Sequence, residues 1–255
     1  IMVIFSVIKE VVVLCGYASL QALMTEFIIS PLNGIGTGLP AVILVIIIMQ
    51  LLWFFGVHGF SIMWGLISVL WMPIFYEHIQ IFVETGSFDK ITQVAPNTLC
   101  NVYAMIGGSG STLALVVLLL VLGKKGSAER SIGKVSIIPG LFGINEPVTF
   151  GLPIVLNPIM FIPFILTPLV FMIIGYLLMV TGVVNIPALM LSVMTIPGPI
   201  AGFILGGGIS LGIMIVIMCL LSCIIYYPFF KICDNQALEA EKKSNQEKTL
   251  EENKI

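Results

Sequence analysis

The first 230 residues of this chain carry very few charged side chains. Only six of them are basic and seven are acidic, whereas roughly a quarter of the residues in a soluble domain are charged. So few charges are too few to cover a water-soluble surface. The sequence therefore predicts an integral membrane protein, and the absence of a basic patch predicts no nucleic-acid partner.

Apolar segments of about 20 residues are long enough to cross a bilayer as helices. We predict an all-α integral membrane protein with about four to five transmembrane helices plus two re-entrant hairpins. The first apolar segment, Val11–Ile29, contains polar residues and is either a span or an interfacial amphipathic connector. The clearer spans are Pro40–Phe55, Phe60–Tyr76, Pro158–Val180 and Ile209–Phe230, together with one around Leu113–Leu122.

Basic residues predict the orientation of these spans. The segment Gly123–Lys134, interpreted as a loop, carries four basic residues and one acid, which indicates that it lies in the cytoplasm. We place the charged tail, 231–255, on the same side, and the polar loop Glu77–Asn97 on the outer side of the cell membrane. An even number of crossings must then separate Lys134 from Lys231, so the apolar material between the last two spans must re-enter rather than cross.

Two broken apolar stretches, near 135–157 and 185–208, contain many prolines and glycines. Irregular backbone at membrane depth is tolerated only where protein or a water-filled cavity satisfies it. Such segments point to transporter binding sites, although Pro-kinked helices are the alternative. We therefore divide the chain into an N-terminal segment (1–38) that is either a span or an interfacial connector, a membrane transport domain (39–230) and the tail.

Two polar residues stand in charge-free surroundings. Glu146 is flanked by apolar sequence, and a carboxyl group at membrane depth is by default a functional candidate; the alternative is a carboxylate at the membrane surface. His58 lies between Val57 and Gly59, where it either serves a ligand or holds two helix ends. His78 is expected to be solvated in the polar loop, and Glu26 to be an interfacial anchor.

The chain offers little for a metal or a cofactor. It has two histidines and five cysteines without a CxxC pair, so we expect no metal site and no cofactor. Cys219 and Cys223 are four residues apart on one helical face, and we interpret them as packing residues rather than as a disulfide.

Three motifs resemble landmarks of a known family. Gly143-Ile-Asn-Glu-Pro147-Val-Thr-Phe-Gly-Leu-Pro-Ile-Val-Leu-Asn157-Pro resembles the signature of lactose/cellobiose-type enzyme IIC permeases of the phosphoenolpyruvate-dependent phosphotransferase system. Trp53-Phe-Phe-Gly-Val-His-Gly59 and Gly107-Gly-Ser-Gly-Ser-Thr112-Leu resemble two further landmarks, in the family's order.

The resemblance implies a sugar permease that takes up a β-linked disaccharide of the cellobiose, chitobiose or lactose type. Glu146, as candidate base, and His58 would hold the 6-hydroxyl of the sugar. The resemblance also implies substrate binding by four other residues: Asn145, Gly107, Ser109 and Thr195. A separate enzyme IIB, phosphorylated on its own cysteine, would donate the phosphoryl group, so whether this chain counts as an enzyme is left open.

Two departures from the family pattern qualify this expectation. Met194 stands where the family's second hairpin has tryptophan, which leaves the choice of disaccharide open. Family members are nearly twice as long, with an N-terminal half that forms a dimer interface. We therefore expect the C-terminal transport half of a split or truncated permease, which would be a homodimer if the other half is present. The alternatives are a proton-coupled secondary sugar transporter and a non-functional or purely structural fragment.

Overall fold

A computed structural model describes most of the chain. The described residues are 10, 12–17, 36–87, 90–104, 106–152, 154–187, 196–204 and 208–252. Most of the predicted N-terminal segment, with Glu26, lies outside them. So does the centre of the second predicted hairpin, with Met194 and Thr195.

The described residues form helices and connecting turns, without a strand among them. We label the α-helices in chain order. They are α1 (Leu39–Phe54), α2 (Gly59–Leu70), α3 (Met72–Thr85), α4 (Pro96–Leu99), α5 (Leu113–Leu122), α6 (Ala128–Leu141), α7 (Glu146–Gly151), α8 (Pro158–Val180), α9 (Gly198–Ile204) and α10 (Gly208–Glu252). A π-helix, Cys100–Ala104, follows α4, and a 3-10 turn, Ser109–Ser111, precedes α5.

Two of these helices are long and apolar enough to span a membrane: α8, and α10 from Gly208 to Ala237. Helices α2 and α3 qualify together as one broken span, because they meet at an angle of 57°. Shorter apolar helices cover Leu39–Phe54 and Ser109–Leu122. Helices α1, α5, α8 and α10 coincide with predicted spans, whereas the span predicted over Phe60–Tyr76 is broken at Trp71 and continues to Thr85.

The start of α8 illustrates how local sequence defines a helix. Its N-cap is Asn157, whose side chain accepts hydrogen bonds from the backbone N–H groups of Ile159 (3.0 Å) and Met160 (3.2 Å). Pro158 occupies the first helical position, where the missing N–H costs nothing. Because lipid offers no hydrogen bonds to backbone groups, such capping matters more in a membrane than in water.

Helix α1 packs against α8, and α10 packs against both α5 and α8. One core cluster is built on the inner faces of α1, α2, α8 and α10. A second cluster joins Trp53 of α1 and Val148 of α7 to Phe164 of α8 and Tyr226 of α10. The second cluster therefore lies beside the first predicted hairpin and supports it.

The first predicted hairpin contains two helices and a break. Helix α6 continues through Pro139 to Leu141, a turn covers 142–145, and the short helix α7 follows. Residues 152–157 then lead into α8. The re-entrant path of this hairpin remains a prediction, as do the domain boundaries.

Three local predictions are wrong. Arg130 and Lys134 lie on α6 rather than in a loop; Arg130 Nη1 donates to the carbonyl of Gly123 at 3.1 Å and so ties α6 to the end of α5. The polar stretch from Glu77 is helical as far as Thr85. His78, expected to be solvated, is only 1% exposed, because its position on α3 faces the interior.

Candidate functional site

His58 occupies the N-cap position of α2, immediately after the turn that ends α1. Its Nδ1 accepts the backbone N–H of Ser61 at 3.1 Å and contacts the Ser61 hydroxyl at 2.8 Å. The imidazole also lies against the ring of Trp53, with a centroid separation of 4.6 Å. These contacts fix the ring and leave Nε2 pointing away from the cap.

Gly59, the next residue, allows α2 to approach α1 closely. A Cβ atom on Gly59 would collide with the backbone carbonyl of Met49, so α2 can approach α1 at this point only with glycine. Gly56, with φ +78°, provides the left-handed turn between the two helices. The spacing of the Trp53–Gly59 motif is therefore a requirement of this tight connection.

Glu146 is the first residue of α7, and its neighbour Pro147 occupies a position where proline suits a helix start. A carboxylate in the first turn interacts favourably with the positive end of the helix dipole. Because the turn at 142–145 reverses the chain, the carboxylate stands at the tip of the hairpin rather than on a helix flank.

The structure brings the two predicted catalytic residues together. His58 Nε2 and Glu146 Oε1 are 3.7 Å apart, and their side chains are 44% and 42% exposed. A separation of 3.7 Å is too long for a direct hydrogen bond. One oxygen atom beside the pair can lie about 2.8 Å from both groups at once, so the pair can bind a single hydroxyl group.

Asn145, predicted to bind substrate, is buried. Its side chain is only 3% exposed, and Nδ2 donates to the carbonyl of Ser109 at 2.8 Å. A Cβ atom on Gly108 would lie 2.6 Å from the Asn145 side chain. Asn145 therefore joins the hairpin tip to the glycine-rich segment (Gly107–Thr112), and a role for its amide in binding sugar stays a prediction.

Gly107 and Ser109, also predicted to bind substrate, are buried in the same segment. The hydroxyl of Thr112 donates to the carbonyl of Gly107 at 2.7 Å, which closes the segment on itself just before α5. These residues lie behind the hairpin tip and support it. A role for their side chains or backbone in binding sugar stays a prediction, and Thr195 lies outside the described residues.

Sequence reasoning missed Ser61, the residue that orients the imidazole. The available signal was a serine three residues after His58, at the distance typical of a capping interaction across the first helical turn.

Sequence reasoning also missed the backbone hydrogen bond from Leu156 to Phe54 (3.2 Å), which ties the segment after α7 to the end of α1. The Phe54 and Phe161 rings, 4.0 Å apart, pack beside it.

The described residues include no group of three or more histidine, cysteine, aspartate or glutamate side chains placed to hold a metal ion. Within that part of the chain, the chemistry that the site offers is an acid–base pair with an adjacent aromatic ring.

Comparison with known proteins identifies the family. The family model described as "Phosphotransferase system, EIIC" matches residues 1–168. The chain is 32% identical to the cellobiose-specific EIIC component of Geobacillus stearothermophilus over 243 residues, which are 95% of this chain and 53% of that protein. It is 33% identical to the lactose-specific EIICB component of Staphylococcus epidermidis strain RP62A over 226 residues, 86% of this chain and 38% of that protein.

A solved structure is also similar. The crystal structure of the transporter ChbC, the IIC component from the N,N'-diacetylchitobiose-specific phosphotransferase system, matches with a TM-score of 0.72 and 34% sequence identity, over 92% of this chain and 54% of that chain. The predicted all-α membrane fold is thereby confirmed. The chain spans about half the length of the curated EIIC relatives that it matches. It belongs to the EIIC family of the phosphotransferase system, whose members are multi-pass membrane transporters.

Proposed function

We propose that this chain binds a β-linked disaccharide and presents its 6-hydroxyl for phosphorylation during uptake into the cell. The observation that carries the proposal is the His58–Glu146 pair: two polar groups 3.7 Å apart, each less than half exposed, on helices that are otherwise apolar. A sugar hydroxyl is the kind of group that such a pair binds, because it donates to a carboxylate and accepts from an imidazole. The relatives named for cellobiose and lactose support the class of sugar.

Trp53 supports the orientation of this pair. Its ring lies beside the imidazole of His58, with a centroid separation of 4.6 Å, and is only 3% exposed. Trp53 therefore packs behind the imidazole and helps to hold it toward Glu146.

The phosphoryl donor is a phosphocysteine on a separate EIIB protein. The oxygen of the sugar 6-hydroxyl attacks the phosphorus atom, an O–P bond forms and the S–P bond breaks, and the thiolate leaves. Glu146 takes the hydroxyl proton, and His58 holds the oxygen in line with the donor. Positioning supplies most of the rate in such transfers. The product carries a charge that prevents its return through the hydrocarbon layer.

The basic residues indicate the orientation of the chain in the membrane. We infer that Lys124, Lys125 and the tail after Phe230 lie in the cytoplasm, where EIIB would dock. The lactose-specific relative from Staphylococcus epidermidis is named an EIICB component, which agrees with an EIIB partner. Homodimerisation, expected from the family resemblance, remains a prediction.

Equilibrium binding tests the proposal. Labelled cellobiose, diacetylchitobiose and lactose are titrated against the detergent-purified chain and its Glu146→Gln variant. Loss of the charged hydrogen bond should weaken binding of the recognised sugar at least about tenfold. The matched control is Glu84→Gln, an exposed carboxylate on α3 that accepts a hydrogen bond from Gln80, and its affinity should equal that of the unmodified chain.

The second arm separates phosphorylation from proton coupling. Membrane vesicles that contain the chain are loaded with an EIIB protein that was phosphorylated beforehand. Sugar uptake is measured with the proton gradient intact and after an ionophore has collapsed it. Sugar phosphate should appear inside in both cases. Uptake of unmodified sugar that stops when the gradient collapses would instead establish a secondary transporter, and a folded chain that binds none of the three sugars would refute the site.

A further inference from the structure

Tyr226 lies on α10, far along the chain from the hairpin, with its side chain fully buried. Its hydroxyl donates to the backbone carbonyl of Gly110 at 2.7 Å. A tyrosine in an apolar core needs a partner for its hydroxyl, and a carbonyl outside the regular helices is an available acceptor. This hydrogen bond therefore joins a membrane helix to the glycine-rich segment.

The segment that receives this bond has an unusual backbone. Gly107, Gly108 and Gly110 have φ values of +80°, +90° and +77°, and the non-glycine Ser111 has a φ of 54°. Backbone conformations of this kind persist only when the surrounding structure holds them. Packing contributes, since a Cβ atom on Gly110 would collide with the ring of Phe164.

Side chains from outside the segment hold two of its adjacent carbonyl oxygens. Asn145 binds the carbonyl of Ser109, and Tyr226 binds the carbonyl of Gly110. The carbonyl bound by the hairpin tip and the carbonyl bound by α10 therefore belong to consecutive residues. Any shift of the segment caused by loss of the Tyr226 bond moves the acceptor of Asn145, and Glu146 is the next residue along the chain.

We propose that Tyr226 is a positioning residue of the sugar site, a role that rests on the proposed function. The hydroxyl of Tyr226 contacts no reacting atom. It fixes the glycine-rich segment to which Asn145 is bonded, and in this way it maintains the separation between Glu146 and His58 that accommodates one sugar hydroxyl.

The test uses Tyr226→Phe, which removes one oxygen atom and keeps the ring that packs in the core. Binding of labelled cellobiose and diacetylchitobiose to the purified chain should weaken about threefold to tenfold. The control is Tyr227→Phe, at the adjacent position on the same helix, where the side chain is 44% exposed. That variant should bind with unchanged affinity.

A double-mutant cycle distinguishes positioning from general stabilisation. If Tyr226 acts through Glu146, Tyr226→Phe should change the affinity less than about twofold in the Glu146→Gln background, because the group being positioned is already lost. If Tyr226 only stabilises the fold, the same fold-change should appear in both backgrounds. Thermal unfolding midpoints, measured with and without sugar, show that each variant is folded.

Failure of the Tyr226 proposal can be distinguished from failure of the proposed function. Binding by the unmodified chain with equal binding by Tyr226→Phe overturns the role of Tyr226 and leaves the sugar site intact. Equal losses in both backgrounds also overturn it, as does a lowered unfolding midpoint with unchanged affinity. If the folded, unmodified chain binds no sugar, the proposed function fails and the Tyr226 proposal fails with it.

Discussion

The Nε2 atom of His58 and the Oε1 atom of Glu146 face each other across 3.7 Å, on two segments that approach from different parts of the chain. His58 begins α2, and Glu146 begins α7. Each is therefore attached to the N-terminal end of a helix, whose backbone is rigid and whose dipole favours negative charge. One oxygen atom beside the pair can bind both groups, which makes the orientation of both side chains decisive for binding.

Ser61→Ala should weaken sugar binding about threefold to tenfold. The Ser61 hydroxyl lies 2.8 Å from His58 Nδ1, and its loss frees the imidazole to rotate away from Glu146. Calorimetric titration with the sugar recognised by the unmodified chain measures the effect. The control is Ser68→Ala on the same helix, whose hydroxyl donates to the Gly65 carbonyl. If Ser61→Ala and Ser68→Ala bind the sugar with equal affinity, Ser61 does not orient the imidazole of His58.

Gly108→Ala should lower the free energy of unfolding by about 2–3 kcal/mol and weaken sugar binding. Gly108 has a φ of +90°, and a Cβ atom there would press on the Asn145 side chain at 2.6 Å. The steric conflict displaces the hairpin tip, so the loss of affinity should exceed tenfold. Denaturant unfolding and sugar titration are measured on the same preparation.

Gly126→Ala is the matched control for that substitution. Gly126 has nearly the same φ, +86°, but a Cβ atom there meets nothing within 4 Å. The Gly126→Ala variant should lose about 1 kcal/mol of unfolding free energy from backbone strain alone, and its sugar affinity should be unchanged. If Gly126→Ala weakens binding as much as Gly108→Ala does, the contact with Asn145 is not the cause.

Hydropathy and local capping signals were sufficient to predict several elements. The bounds of α8 agree with the predicted span, because Asn157 caps it and Pro158 begins it. Pairing of His58 with Glu146 followed from the family motifs rather than from spacing. The all-α membrane class followed from the scarcity of charge.

Long-range contacts were not predictable from local pattern. The sequence predicts the amide of Asn145 near the substrate but does not predict its bond to the carbonyl of Ser109, 36 residues away. A backbone carbonyl carries no signature in the amino-acid sequence. The solvated position predicted for His78 is wrong for a related reason: its charged and polar neighbours indicate solvent, whereas the helical face of α3 that carries it is packed against other residues.

Gln50→Met should leave the free energy of unfolding unchanged or raise it by about 1 kcal/mol. Gln50 is fully buried on α1, and neither atom of its amide has a hydrogen-bond partner among the described residues. Replacing an unpaired buried polar group by an apolar group of similar shape removes a desolvation penalty. Thermal unfolding in one detergent compares the variants.

The control for Gln50 is Gln80→Met on α3, where the amide is exposed and donates to Glu84 at 2.9 Å. That substitution should lower stability by no more than about 0.5 kcal/mol. A loss greater than about 1 kcal/mol for Gln50→Met would mean that the buried amide has a hydrogen-bond partner, such as a bound water molecule.

The orientation in the membrane is tested by labelling single cysteines in a variant that lacks the five native ones. Lys125→Cys and Gln246→Cys should react with a membrane-impermeant maleimide only in inside-out vesicles, because the basic loop indicates the cytoplasm. Thr92→Cys, in the exposed part of the segment after α3, should react only in intact cells. Reaction of Lys125→Cys and Gln246→Cys from opposite sides would require an odd number of crossings between them. One of the two predicted hairpins would then cross the membrane rather than re-enter, and the tail would not lie beside the basic loop where EIIB is proposed to dock.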